Sequence, residues 1–178
     1  MGTYFNTGNA GFQSARNSEY VDKSELIAIV NATLYTERRF TFVTRCRRFG
    51  KSLAAKMLNA YYDRSCDSRS LFADLKIAKD ASFEKYLNQF YVIYLDTSDF
   101  VTRFHDDSIL EHIDSELIED IHTAIPDVPF LLFSFFEFVD SLGELSNKMS
   151  CLLRNTVQKY KKDGTFNVIL LKNNQNLA

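Results

Sequence analysis

Residues 41–62 read as an apolar strand, a polar turn and a long helix in direct succession, and this stretch sets the terms for the rest of the chain. Phe40, Phe42 and Val43, with Thr41 and Thr44, have the aromatic and β-branched content of a strand, whereas Leu53, Met57, Leu58 and Tyr61 recur at helical spacing. Between them stands Arg45-Cys46-Arg47-Arg48-Phe49-Gly50-Lys51-Ser52. Gly50-Lys51-Ser52 is the second half of the phosphate-loop pattern G-x-x-x-x-G-K-[ST], placed where that pattern belongs, after a strand and at the opening of a helix.

The chemistry follows from the position. A helix start leaves backbone N–H groups unpaired and carries partial positive charge, so a phosphate there gains hydrogen bonds and a favourable field. Gly50 lets backbone approach the anion, Lys51 reaches the terminal phosphates, and the Ser52 hydroxyl is the candidate magnesium ligand. Arg45, Arg47 and Arg48 add guanidinium groups that match phosphate oxygens two at a time. The candidate binding residues are therefore Arg45, Arg47, Arg48, Phe49, Gly50, Lys51, Ser52 and Leu53, with phosphate groups and magnesium as the implied ligands. The bland alternative is a basic helix start carrying an incidental Gly-Lys-Ser, its arginines solvated or paired with carboxylates. Contact with a nucleic-acid backbone is a third, which strong salt dependence would reveal. Arg45 stands where the pattern has its first glycine, and a bulky side chain disfavours positive φ, so the loop must take another shape.

The run TRCRRFGKSL resembles the SRPRRFGKSL-type loop of the predicted AAA-ATPase-like family, P-loop proteins often fused to a nuclease-like domain, in which arginine replaces that first glycine. Tyr20-Val21-Asp22-Lys23-Ser24 is similar to the family's upstream YVDKS/T signature, and Leu71-Phe72-Ala73-Asp74-Leu75-Lys76-Ile77 to its LFxGLxI segment. The resemblance spans roughly residues 11–171. It implies an α/β fold, a P-loop NTPase-like parallel sheet flanked by helices, and nucleoside triphosphate (ATP) binding. Two departures stand out: Cys46 occupies the usual proline position, and the acidic tetrad expected after a later catalytic strand is missing. Phe166 to Leu171 is that strand by pattern, and Lys172-Asn173-Asn174 follow it. Asparagine offers an amide oxygen to a metal but accepts no proton, so the resemblance implies binding with hydrolysis in doubt and a domain incomplete at its C-terminus. A sheet edge left uncovered by that incompleteness is then a surface for a partner protein or for self-association.

Composition narrows the remaining classes. A chain of 178 residues with 46% hydrophobic content is expected to build one core. The formal net charge of −2 gives no global attraction to nucleic acid or anionic membrane. Three cysteines without C-x-x-C spacing point to free thiols in a reducing, cytoplasmic setting. The apolar run over 129–139 is too short for a span of about 20 residues, so it reads as a buried helix.

In chain order, residues 1–17 read as a flexible lead-in, 18–171 as a partial ATPase-like domain and 172–178 as an unstructured tail. Asp22 with Glu25 fits a capping box for a helix near 23–35. That local role accounts for Asp22 and Lys23 as well as a place in the nucleotide site does. Residues 71–77 and 83–90 are short helical supports. Residues 91–96 form a second strand ending in Asp96, either a magnesium carboxylate or the start of a turn. The first option defines an alternative function, a small phosphotransferase; a non-catalytic protein-interaction fragment is the other. Residues 106–123 carry an amphipathic helix on which His112 and Glu116 share a face, either a metal-compatible pair or a solvated one. Residues 144–160 form a further helix.

Overall fold

Four strands lie side by side in a computed structural model of the chain, which describes residues 4–36, 38, 40–45, 49–96, 103, 112, 113, 115, 116, 119, 120, 130–136 and 167–173. They are β1 (Phe40–Arg45), β2 (Tyr91–Asp96), β3 (Phe130–Phe136) and β4 (Asn167–Asn173), in the order β1-β4-β3-β2. All three pairings are parallel, with Arg45 opposite Asn173, Phe136 opposite Lys172 and Asp96 opposite Phe135. The C-terminal ends of the strands therefore share one rim, where parallel α/β sheets place their ligands.

The helical elements are α1 (Ala10–Arg16), α2 (Glu25–Thr33), α3 (Lys51–Tyr62), α4 (Arg69–Phe72), a 3-10 turn at Lys76–Lys79, and α5 (Phe83–Tyr86). Helix α3 is the hub. Its residues Ala54, Ala55, Met57, Leu58, Ala60, Tyr61 and Tyr62 are all buried, while Ser52 and Lys56, one turn apart, leave a narrow side exposed. α1 can lie close against it because Gly11 has no side chain; a Cβ there would stand 3.3 Å from Lys56 Cδ. On β2, Val92 and Tyr94 belong with the core around α3, while Ile93 and Leu95 are also fully buried and by strand alternation face the opposite side. Both faces of this strand are covered. Among the described residues no helix is long and apolar enough to cross a membrane.

Behind α3 a polar network fixes the helices to one another. Tyr62 Oη donates to Asn31 Oδ1 at 2.5 Å, and Asn31 Nδ2 donates to Tyr61 Oη at 3.2 Å and to Ser82 Oγ at 2.8 Å. Tyr61 Oη donates in turn to the Phe83 carbonyl at 2.8 Å. Burial drives both phenols above their ordinary range, so they stay neutral and keep donating.

Several expectations from the sequence change here. Residues 130–136, expected inside a buried helix, form strand β3. A continuous apolar run does not distinguish a buried helix from an interior parallel strand, and β3 is flanked by β2 on one side and β4 on the other. Residues 1–17, expected as a flexible lead-in, are built into the fold from Tyr4 onward: α1 forms, Phe12 is fully buried, and Phe5 bridges antiparallel to Ile93. β4 runs to Asn173, two residues into the expected tail. Asp22 does not cap α2. Ser24 holds that position without a side-chain cap, and Glu25 pairs with Lys76 Nζ at 2.9 Å instead of closing a box. The helix expected over 144–160 lies outside the described residues, as does most of 106–123, of which 112, 113, 115, 116, 119 and 120 have helical backbone.

The N-terminal segment is fastened along the outer side of β2 by Asn6 N–H to the Val92 carbonyl (2.8 Å) and Tyr94 N–H to the Tyr4 carbonyl (2.7 Å). The β2 edge of the sheet is therefore covered along Tyr4–Asn6. Glu116, weighed from the sequence as half of a metal pair, is the anchor for this segment. Tyr4 Oη donates to its Oε2 at 2.5 Å, and Arg103 donates to its two oxygens at 3.0 and 3.1 Å. Burial, reinforced by the hydrogen bond and charge of Glu116, pushes the Tyr4 phenol up to about 12, while the Arg103 hydrogen bond holds the Glu116 carboxyl below its usual range. A raised phenol contributes stability that is complete below the unfolded value near 10 and drains away as pH climbs through the folded value. Alkaline unfolding should accordingly show a loss from about pH 10 to 12 that Tyr4→Phe reduces, the other raised phenols keeping the remainder. Identical alkaline curves for both proteins would contradict the anchor.

Candidate functional site

The turn between β1 and α3 joins the sheet's C-terminal rim to the hub helix. Gly50 is the N-cap of α3 with φ 77° and ψ 28°, left-handed backbone that glycine adopts without steric cost. Its carbonyl accepts the first helical bond, from Ala54 N–H at 2.9 Å. The N–H groups of Gly50, Ser52 and Leu53 have no acceptor among the described residues, as the first turn of a helix leaves them. With 12 residues in line behind it, this end of α3 carries the positive pole of the helix dipole.

The structure sorts the sequence-derived candidates. Gly50, Lys51, Ser52 and Leu53 come together at the helix start. Lys51 is 7% exposed and Ser52 is open to solvent. Leu53 packs its side chain on the core, so only its backbone is available at the turn. Phe49 leaves its ring 60% exposed just before the cap. Arg45 ends β1 in register with Asn173, while Cys46, Arg47 and Arg48 lie outside the described residues.

Asp96 ends β2, the far strand in the order, so three strand spacings of about 4.8 Å separate its strand from β1.

Lys23 is brought against this turn by a tertiary contact. Its Nζ donates to the Phe49 carbonyl at 3.0 Å across 26 positions of sequence, and a Cβ on Gly50 would lie 3.1 Å from the same nitrogen. Both neighbours of Lys23 bind the 3-10 turn. Asp22 accepts Lys76 N–H at 2.9 Å and Ser24 N–H at 2.8 Å, and Ser24 Oγ accepts Ile77 N–H at 3.1 Å. Burial alone would raise the Asp22 carboxyl, but these hydrogen bonds outweigh it and hold the group below its usual range. The three sequence signatures around residues 20–24, 45–53 and 71–77 thus meet as one hydrogen-bonded unit. The signal for Lys23 was its place in the first of them.

No curated protein matches the chain. Residues 8–171 match the family described as Predicted AAA-ATPase, a span that begins before α1 and runs into β4. A match over that much of the sequence makes the chain a member of the AAA-ATPase-like family.

Proposed function

We propose that the turn from Arg45 to Leu53 binds the phosphates of a nucleoside triphosphate, ATP, together with magnesium, within a P-loop-type α/β domain. The observation that carries this is Gly50: left-handed, heading a buried 12-residue helix directly behind a strand, with unpaired N–H groups on either side of Lys51. These groups suit an anion, and the left-handed backbone at residue 50 is one that a side chain would strain. In this reading Gly50, Ser52 and Leu53 donate backbone N–H groups, Lys51 neutralises phosphate charge, Ser52 offers its hydroxyl to the ion, and Arg45, Arg47 and Arg48 supply further cations. Bound magnesium would draw charge from the phosphate oxygens.

The same proposal assigns binding without efficient hydrolysis. Beside the turn, Thr44 and Arg45 stand in register with Lys172 and Asn173, an ammonium and an amide where the resemblance calls for carboxylates. General base catalysis contributes on the order of 100- to 10,000-fold, so turnover lacking it is slow. The phosphotransferase alternative is not carried forward, because Asp96 ends the strand farthest from β1.

Titration of the full chain with ATP, ADP, AMP and adenosine in magnesium tests the reading. Affinity should fall with each phosphate removed, since the contacts proposed are all to phosphate. Adenosine binding as tightly as ATP would sink it.

A further inference from the structure

We propose that Lys23 is the positioning residue of the phosphate turn: by holding the Phe49 carbonyl it fixes the direction in which the Phe49–Gly50 peptide faces. The proposal rests on the phosphate-binding reading above. A trans peptide is planar, with its carbonyl and its N–H pointing to opposite sides. Lys23 Nζ sits on the carbonyl side at 3.0 Å, so the Gly50 N–H is turned to the other side. That N–H has no acceptor among the described residues and adds to the donors of the first turn of α3. Were the peptide reversed, a carbonyl would replace the N–H, presenting partial negative charge to an incoming anion.

Three observations single Lys23 out. Arg16, Arg69, Lys76 and Arg103 each pair with a carboxylate, whereas among the described residues Lys23 has none and donates to a carbonyl. Its backbone is held on both flanks, because Asp22 and the buried Ser24 accept N–H groups from Lys76 and Ile77. Its ammonium lies where a Cβ on Gly50 would crowd it, at 3.1 Å. Left-handed Gly50 and Lys23 are therefore two parts of one arrangement. A side chain at residue 50 would press on the ammonium, and loss of the ammonium would free the peptide.

The test uses the full chain as wild type, Lys23→Met, Lys23→Arg and Lys51→Met. It reads ATP affinity, the thermal midpoint without ligand, and the Gly50 amide resonance in nitrogen-15-labelled protein. Lys23→Met should weaken ATP binding about tenfold, the scale of one charge-assisted hydrogen bond, and shift the unliganded Gly50 resonance while the midpoint stays in place. Lys23→Arg, which keeps a cationic donor, should restore both. Wild-type affinity in Lys23→Met beside lost binding in Lys51→Met overturns the proposal and leaves the phosphate site standing. An unmoved Gly50 resonance in Lys23→Met overturns it too. Absence of ATP binding by the wild type removes the phosphate reading itself, and the unliganded Gly50 resonance then still decides whether Lys23 sets the peptide.

Discussion

Lys51→Met is expected to weaken ATP binding by about 10- to 150-fold, the equivalent of a charge-assisted contact of about 1.5–3 kcal/mol. Lys51 is 93% buried at the start of α3, and methionine retains most of the volume of its stem. Calorimetric titration of both proteins, with thermal unfolding to establish that the variant is folded, measures the change. Wild-type affinity in a folded Lys51→Met protein would mean that the phosphate reading fails at its centre.

Phe12→Ala is expected to destabilise the chain by about 3–5 kcal/mol, the range for emptying a buried aromatic site. Phe12 is fully buried, stacks on Phe72 at 5.0 Å between centroids and meets Tyr20 edge-on at 5.4 Å. It ties α1 to the start of the Tyr20–Ser24 signature and to α4, so its removal leaves a cavity that three elements would have to close. Urea unfolding reads the change as a fall in the midpoint at nearly constant slope. A loss below about 0.5 kcal/mol, typical of an exposed position, would return residues 4–17 to the status of a lead-in.

Much of this arrangement is legible in the sequence because its signals are local. The strand before Arg45 and the helix after Gly50 announce themselves by composition and by spacing, and β2 and β4 fall where Tyr91 and Asn167 begin runs rich in valine and isoleucine. β3 is not legible locally, because Phe130–Phe136 offers neither a two-residue nor a 3.6-residue period; only its place between β2 and β4 decides. The ordering of residues 4–17 was hidden for another reason. Its polar and glycine-rich composition looks mobile, whereas its partners Val92, Tyr94, Glu116 and Asp120 come from far along the chain. Lys23 illustrates the same divide: its neighbours explain it locally, and its contact with Phe49 is tertiary. Asp96 shows the converse, since a strand ending in a carboxylate is local information and its distance from β1 is not.

The segment Tyr4–Asn6 also has a consequence for how the protein is made. A ribosome delivers it long before the residues that it fastens to, 86 to 116 positions later. Until Val92, Glu116 and Asp120 emerge, these contacts of Tyr4–Asn6 cannot form. Such widely separated pairings slow folding, because a large loop must close before any contact rewards it. Tyr4–Asn6 thus acts as a clasp, shutting the outer border of the sheet only once translation has passed residue 120.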